Sequence, residues 1–379
     1  MNETNVMDED WQLLLSLLPR GWQQLAIETD ALKGLRKDKG AGDNLRTLLL
    51  HLACGYSLRE TAVRARAAKL ADLSDVAVLK RLRKSKDWLQ ALCHRLLEEQ
   101  ATLTQRVAGL SLRLVDATLV QEPGATGRSW RIHYSLRWPQ LTCDHFALTG
   151  TSGKGTGESL THFPVHAQEH VVADRGYSNY ASVAHVATHG AVVTVRLNPR
   201  AVRLMVPHGP KLFPLRQRLR SLQKTNEIGC WAVGLTGAAG QAPIEGRLCV
   251  LRKSKAAILK SQAKVARNAN SNGRALQSET LLYAEYVMVF TTAPAAFTAG
   301  QVLEVYRLRW QIELVFKRFK QIAQLGHLPK EDDESSKAWL YGKLFVALLT
   351  ERLVQRAESF SPWGYDVETK TQPEPLAPV

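Results

Sequence analysis

The chain has 379 residues, of which 45% are hydrophobic and 22% are charged, so it is long enough for two or three domains with a sizeable core. No apolar run approaches the length that spans a bilayer, and the polar, acidic start MNETNVMDED is unlike a signal peptide, which predicts a cytoplasmic protein without membrane contact. A net charge of +15 favours a polyanionic partner, and nucleic acid is the first candidate. Five scattered cysteines without a CxxC pair predict reduced thiols and no structural zinc.

Residues 1–106 are predicted to form a helical DNA-binding domain, because apolar residues recur there at helical spacing. Ser57 and Glu60 form a capping box that opens a helix ending near residue 68, and Ser74 caps a second helix that extends to about residue 89. This pair predicts a helix-turn-helix, although a helical hairpin with a solvated basic face is the alternative. The candidate DNA contacts are basic residues of the second helix: Lys80, Arg81 and Lys84.

Residues 107–196 change to the pattern of an α/β fold. An apolar, β-branched strand over 110–120 is predicted to end near Asp116, and two further strands follow it as a hairpin. A fourth strand carries Asp174 at its C-terminal end, and a helix and a fifth strand complete the block. The order strand-strand-strand-helix-strand-helix-strand is that of an RNase H-like core.

A basic segment over 197–285 interrupts this core. It holds 15 Lys and Arg residues against four Glu and no Asp, which accounts for +11 of the chain's net charge. Two candidate strands and a basic helix predict a β-rich insertion that tracks phosphates, whereas an ordinary solvated face is the alternative. Residues 286–357 are predicted to be the second part of the core, with a closing helix, and residues 358–379 to be a loose tail.

The helix predicted over 305–321 concentrates polar residues on one side. Tyr306, Arg309, Glu313 and Lys320 fall within an arc of roughly 60° at about 100° per residue, with Lys317 just beyond its edge. A single carboxylate among cations suits a metal ion beside a phosphate backbone. The alternative is an ordinary amphipathic helix with an intrahelical Arg309–Glu313 ion pair.

Three acids are therefore candidates for one catalytic site. In an RNase H-like sheet the first and fourth strands are neighbours and the last helix crosses near their ends, so Asp116, Asp174 and Glu313 would converge. Such a cluster is costly unless cations neutralise it, and two Mg²⁺ ions would do so while activating an in-line attack at phosphorus. Asp144 and Glu158 are polar neighbours that could assist a metal, although a structural role is the simpler interpretation for both.

The motif Y-x2-R-x3-E-x6-K of the helix resembles the signature of the DDE transposases of bacterial insertion sequences, and more narrowly that of the insertion-sequence-four family. VDAT at Asp116 and ADRGY at Asp174 are similar to the two aspartate motifs of that family, which also shares the β-rich insertion. The resemblance covers nearly the whole chain.

The resemblance implies a metal-dependent enzyme that cuts double-stranded DNA at the ends of its mobile element and joins these ends to target DNA. Asp116, Asp174 and Glu313 would hold two Mg²⁺ ions, for which Mn²⁺ would substitute. Phosphates near the cut would be bound by polar residues of the motif helix: Tyr306, Arg309, Lys317 and Lys320.

The resemblance further implies a bacterial, nucleoid-associated protein and a homodimer in the synaptic complex. Only roughly 60 residues follow the motif, so the long C-terminal dimerisation domain of some relatives is not expected. Some relatives stack a flipped base on an aromatic residue of the insertion. Trp231 and Tyr286 are candidates for that role, although a core position is the simpler interpretation of each.

Two other classes of function stay open. The chain could be a DNA-binding protein that has lost catalysis and acts as a repressor, although its intact acids argue against this. It could also be a stand-alone nuclease of the same fold, which the motif helix and the helix-turn-helix disfavour.

Overall fold

The computed structural model describes residues 11–35, 40–100, 106–107, 110–121, 129–139, 141–237, 241–271, 273, 275–322, 328 and 332–358. The chain divides into a helical unit, formed by residues 1–99 and 321–379, and a sheet unit, formed by residues 100–320. From residue 359 onwards, the predicted loose tail lies outside the described residues. None of the helices in the described ranges is long and apolar enough to cross a membrane.

Twelve helices are defined within the described residues: α1 (residues 11–17), α2 (Trp22–Glu28), α3 (Ala41–Leu52), α4 (Leu58–Ala67), α5 (Asp75–Lys84), α6 (Lys86–Gln100), α7 (Tyr180–Thr188), α8 (Leu215–Ser221), α9 (Lys255–Ser271), α10 (Ser278–Ala284), α11 (Ala299–Ile322) and α12 (Asp333–Glu358). The strands of the same ranges are β1 (Arg106–Val107), β2 (Leu110–Gln121), β3 (Ser129–Arg137), β4 (Thr142–Gly150), β5 (Glu169–Ala173), β6 (Val192–Arg196), β7 (Arg203–Met205), β8 (Ile228–Thr236), β9 (Ile244–Arg252) and β10 (Tyr286–Thr291).

The predicted caps of α4 and α5 are present. The Ser57 hydroxyl accepts a hydrogen bond from the Glu60 amide at 3.1 Å, and the Ser74 hydroxyl accepts one from the Ala77 amide at 3.2 Å. The second helix is shorter than we predicted, because it ends at Lys84 and a new helix begins at Lys86. The connection between α4 and α5 spans the seven residues 68–74, which is longer than the three or four residues of a typical helix-turn-helix.

The basic residues at the end of α5 have partners within the helical unit. Arg83 binds Asp332 at 2.7 Å, and the Lys84 ammonium donates to the main-chain carbonyl of Lys33. Lys80, by contrast, is exposed, and Arg81 is partly buried. The free cationic surface of this helix is therefore smaller than its composition indicates.

We predicted that the final helix, α12, closes the α/β core, but it belongs to the helical unit. It packs on α3 and α5. At one of these contacts Gly342 lies against Leu52, where a Cβ would stand 2.5 Å from a Leu52 methyl group. An apolar helix face predicts burial, but its sequence does not identify the surface that buries it.

The sheet unit is built on one mixed sheet with the order β4-β3-β2-β5-β6-β10-β9-β8-β7. β2, β3 and β4 are antiparallel neighbours, whereas β5 runs parallel to both β2 and β6. The first five strands in this order fit an RNase H-like core, and the first and fourth predicted strands are adjacent as expected. The last β2–β5 pair is Val115 with Ala173, so the next residue of each chain segment is an aspartate.

The basic segment over 197–285 extends this same sheet. Its strands β8 and β9 form the predicted hairpin, and β9 pairs with β10 antiparallel in register from Tyr286 to Thr291. Apolar residues of β8, β9 and β10 belong to one core cluster with those of β2, β5 and β6. The segment therefore lies between β6 and β10 in sequence, while its strands extend the same sheet and share its core.

Candidate active site

Asp116 and Asp174 lie at corresponding positions on neighbouring strands. Asp116 is in β2 and accepts a hydrogen bond from the Ala117 amide at 2.8 Å, while Asp174 directly follows β5 and begins a short 3₁₀ turn. All of β5 and residues 112–115 of β2 are buried, which positions the strands that carry the two carboxylates.

Helix α11 adds the third acid and a cation shared by all three. The Arg309 guanidinium lies 3.5 Å from an Asp116 oxygen, 3.9 Å from an Asp174 oxygen and 2.7 Å from a Glu313 oxygen. The Arg309 side chain is only 12% exposed. The intrahelical Arg309–Glu313 pair of the simpler interpretation is thus present, but it is one part of a contact with both aspartates.

Two tyrosines connect α11 to the strands. The Tyr306 hydroxyl donates to Asp174 at 3.0 Å, and burial together with the Asp174 charge raises the pKa of Tyr306 to about 12. The Tyr134 hydroxyl donates to the main-chain carbonyl of Ile312 at 2.7 Å, one residue before Glu313. Tyr134 faces Asp116 in the β2–β3 register, so it links the strand pair that carries the first acid to the helix that carries the third.

The two aspartates have opposite electrostatic environments. Burial raises the pKa of Asp116 to about 6, against the effects of the Ala117 amide and Arg309. For Asp174 burial acts in the same direction, but Arg309, the Arg175 amide and the Tyr306 hydroxyl outweigh it and lower the pKa. The site therefore holds like charges close together and depends on cations to keep them ionised.

A cavity of about 500 Å³ opens beside these residues. Its lining includes the three acids together with Tyr134, Glu158 and Lys317, and Lys317 is exposed. Lys320 belongs to the same helix, but its side chain lies outside the described part of the structure. The predicted motif residues whose side chains are described are thus at or next to this cavity.

The donor set fits a hard divalent cation. All three acids supply carboxylate oxygens, which Mg²⁺ and Mn²⁺ prefer, and a cavity adjoins them. In this structure the guanidinium of Arg309 neutralises part of the carboxylate charge. Among the described residues, no three His, Cys, Asp or Glu side chains are placed to ligate one metal ion together.

Asp144 has a structural role that is separate from this cavity. It pairs with Arg113 at 2.9 Å and with Arg137 at 2.6 Å, and Glu169 completes a buried group of four charges. These contacts support the structural interpretation of Asp144 over a role at a metal, whereas Glu158 does line the cavity. Tyr286 is also a core residue, since it is buried and its hydroxyl donates to the Leu219 carbonyl at 2.8 Å.

Comparison of the chain with known proteins identifies its family. Residues 149–349 match the family model described as a transposase DDE domain. The chain is 32% identical over 373 residues to the transposase for insertion sequence element IS421 of Escherichia coli, covering 97% of this chain and all of that protein. The chain belongs to the DDE transposases of bacterial insertion sequences. The InsL protein of insertion sequence element IS186A of Escherichia coli K12 is similar to this transposase to the same degree, at 32% over 372 residues.

Two further matches cover a smaller part of this chain or have a lower sequence identity. The transposase for IS231F of Bacillus thuringiensis subsp. israelensis is 35% identical to this transposase over 104 residues, which is 27% of this chain and 22% of that protein. The catalytic domain of human endonuclease V covers 66% of this chain and 98% of its own at 12% identity, and its TM-score of 0.26 is too low to carry an argument.

The sequence pattern did not single out Tyr134. Tyr134 is identified by the register of the β2–β3 hairpin, which places it opposite Asp116. The sequence alone does not give that register, because it depends on how the two strands align.

Proposed function

We propose that this transposase binds the ends of its insertion sequence, cleaves the DNA by two-metal phosphodiester hydrolysis and joins the ends to target DNA by transesterification. The observation that carries the proposal is the contact of one guanidinium with Asp116, Asp174 and Glu313, which come from two strands and a helix. Membership of the DDE transposases supports the DNA-cleaving and strand-transfer activity. The motif spacing further supports membership of the insertion-sequence-four family.

Asp116, Asp174 and Glu313 are the residues that would hold the metal ions. Bound Mg²⁺, or Mn²⁺ in its place, would supply an activated water or 3′-hydroxyl and stabilise the leaving oxygen. The carboxylates position these ions, and burial of Asp116 makes its charge depend on a neighbouring cation. Tyr134 holds α11 against β3, so that Glu313 keeps its place relative to Asp116.

The remaining polar residues of α11 would bind the DNA backbone. With metal ions bound to the acids, Arg309 would be available to pair with a phosphate, for which its planar guanidinium is well suited. Tyr306, Lys317 and Lys320 lie on the same helix and would contact neighbouring phosphates of the strand beside the cut. Arg309 would thus contact carboxylate oxygens in the absence of DNA and phosphate oxygens in the complex.

The helical unit would bind the ends through α5, with Lys80, Arg81 and Lys84 as contacts. Lys80 is exposed and extends from the helix, whereas Arg83 is paired with Asp332. Replacement of Lys80 by alanine is expected to reduce the salt dependence of end binding by about one unit of slope, because one phosphate contact is lost. The measurement is the affinity for an end duplex at several salt concentrations. Arg83→Met is the control with little expected change, and equal slopes for wild type and Lys80→Ala would contradict the contact.

The cleavage assay tests the proposal directly. Wild-type protein is incubated with a supercoiled plasmid that carries the element's own ends, with Mg²⁺ and with EDTA. We expect cleavage confined to the ends and lost on chelation of the metal, because the carboxylates alone supply no electrophile. Tight, salt-sensitive binding to the ends without cleavage would instead favour a catalytically silent DNA-binding protein that acts as a repressor.

The synaptic complex is proposed to be a homodimer that acts on two double-stranded ends in the bacterial nucleoid. Light scattering of the protein with and without an end duplex tests this assembly, and a DNA-bound monomer at every concentration would contradict it.

A further inference from the structure

Glu158 differs from the other acids that line the catalytic cavity. Asp116, Asp174 and Glu313 each contact Arg309, whereas in the described part of the chain the Glu158 carboxylate forms no hydrogen bond and no ion pair. Its side chain nonetheless faces the cavity rather than open solvent. The cavity therefore contains one carboxylate whose charge no neighbouring donor satisfies.

The Glu158 carboxylate lies against the loop that follows Asp174. A Cβ on Gly176 would stand 1.3 Å from a carboxylate oxygen of Glu158, so the carboxylate lies directly over the Gly176 main chain. Only glycine permits this close approach. The Asn179 side chain holds the same segment, since its amide donates to the Glu158 carbonyl at 3.3 Å while its oxygen caps α7. Glu158 and Asp174 are thereby held on one side of the cavity.

Glu158 is partly buried and lies near both the Arg131 cation and the Asp174 carboxylate. Burial raises the pKa of its carboxyl, Arg131 opposes this rise, and the charge of Asp174 adds to it. A divalent cation placed between Glu158 and Asp174 would convert this repulsion into attraction. Neither Tyr306 nor Arg309, which serve Asp174, is paired with Glu158.

We propose that Glu158 is a fourth carboxylate of the catalytic metal site, which binds one of the divalent cations on the Asp174 side, directly or through a water molecule. The proposal rests on the two-metal function proposed above. Carboxylates that hold a metal ion or its bound water typically change metal affinity by 10- to 100-fold when they are replaced. The opposing possibility is that Glu158 only covers Gly176.

The test measures Mn²⁺ binding to the full chain by electron paramagnetic resonance, which reports free Mn²⁺. We expect Glu158→Gln to weaken the binding of one Mn²⁺ ion about 10-fold. Glu304→Gln, an exposed acid on α11 paired with Arg307, is the matched control and is expected to bind like wild type. Asp116→Asn serves as the reference for loss of an assigned ligand.

A second variant tests whether the position of the Glu158 carboxylate matters as well as its charge. Gly176→Ala keeps Glu158 but displaces its carboxylate, because the new methyl group would occupy the same space. We expect the same weakening of Mn²⁺ binding, and no further loss when Gly176→Ala and Glu158→Gln are combined. Without metal, Glu158→Gln is expected to melt at or above the wild-type temperature, since a like charge has been removed.

The outcomes distinguish this inference from the proposed function. If Glu158→Gln binds Mn²⁺ like wild type while Asp116→Asn does not, the fourth ligand is overturned and the two-metal site stands. If wild type itself binds no Mn²⁺, the proposed function fails and this inference fails with it.

Discussion

Replacement of Glu313 by glutamine is expected to reduce Mg²⁺-dependent cleavage of an end-bearing plasmid by about 10³-fold, or roughly 4 kcal/mol of transition-state stabilisation. Glutamine has the size of glutamate and its side-chain oxygen can still accept from the Arg309 guanidinium, which lies 2.7 Å from Glu313. The substitution therefore removes the charge that a metal ion needs while the helix stays in place. The measurement is the initial rate of strand cleavage, with circular dichroism to compare the folded states.

Glu304 provides the control for this substitution on the same helix. It pairs with Arg307 at 2.9 Å in an exposed position, and Glu304→Gln is expected to cleave within about twofold of wild type because surface ion pairs contribute little. Unreduced cleavage by Glu313→Gln would remove Glu313 from the catalytic set. Equal loss in both variants would mean that the charge of α11 matters rather than the position of one carboxylate.

Much of the site was predictable because its signals are local. Apolar, β-branched runs located β2 and β5, and helical spacing placed Arg309 and Glu313 on one face. The predicted end of the first strand near Asp116 is wrong, because β2 continues to Gln121 through its pairing with β3. The adjacency of β2 and β5 follows from the strand order of an RNase H-like core. The sequence therefore predicted which elements carry the acids and that these elements meet.

The contacts that depend on tertiary geometry were not predictable. Arg309 was expected to bind phosphate, and in the structure its guanidinium also lies among three carboxylates, which come from two strands and its own helix. The segment over 197–285 was expected to interrupt the core, but its hairpin pairs with β10 and extends the sheet. An open strand edge accepts any strand of suitable length, and the sequence of the hairpin does not encode which edge it joins.

A second large effect is expected at the buried group of four charges formed by Arg113, Arg137, Asp144 and Glu169. Arg113→Met is expected to lower the free energy of unfolding by about 3–5 kcal/mol, because it leaves buried carboxylates without one of their two cations. The Arg113 side chain is 2% exposed, and it lies 2.9 Å from Asp144 and 3.4 Å from Glu169. It also donates to the Ser135 hydroxyl at 3.0 Å. The Arg113 side chain therefore joins β2, on which it lies, to β3, β4 and β5. Urea unfolding followed by tryptophan fluorescence measures the change.

Two further variants distinguish charge from packing as the cause of the lost stability in Arg113→Met. Arg307→Met removes an arginine from an exposed ion pair and is expected to cost below about 0.5 kcal/mol, so a similar cost at Arg113 would show that the buried group is not held by its charges. In the double variant Arg113→Met with Asp144→Asn, the uncompensated negative charge is also removed. If desolvation of that charge causes the effect, the double variant should lose less stability than the sum of the two single variants. Strict additivity would instead assign the loss to packing of the Arg113 side chain against its neighbours on β3 and β5.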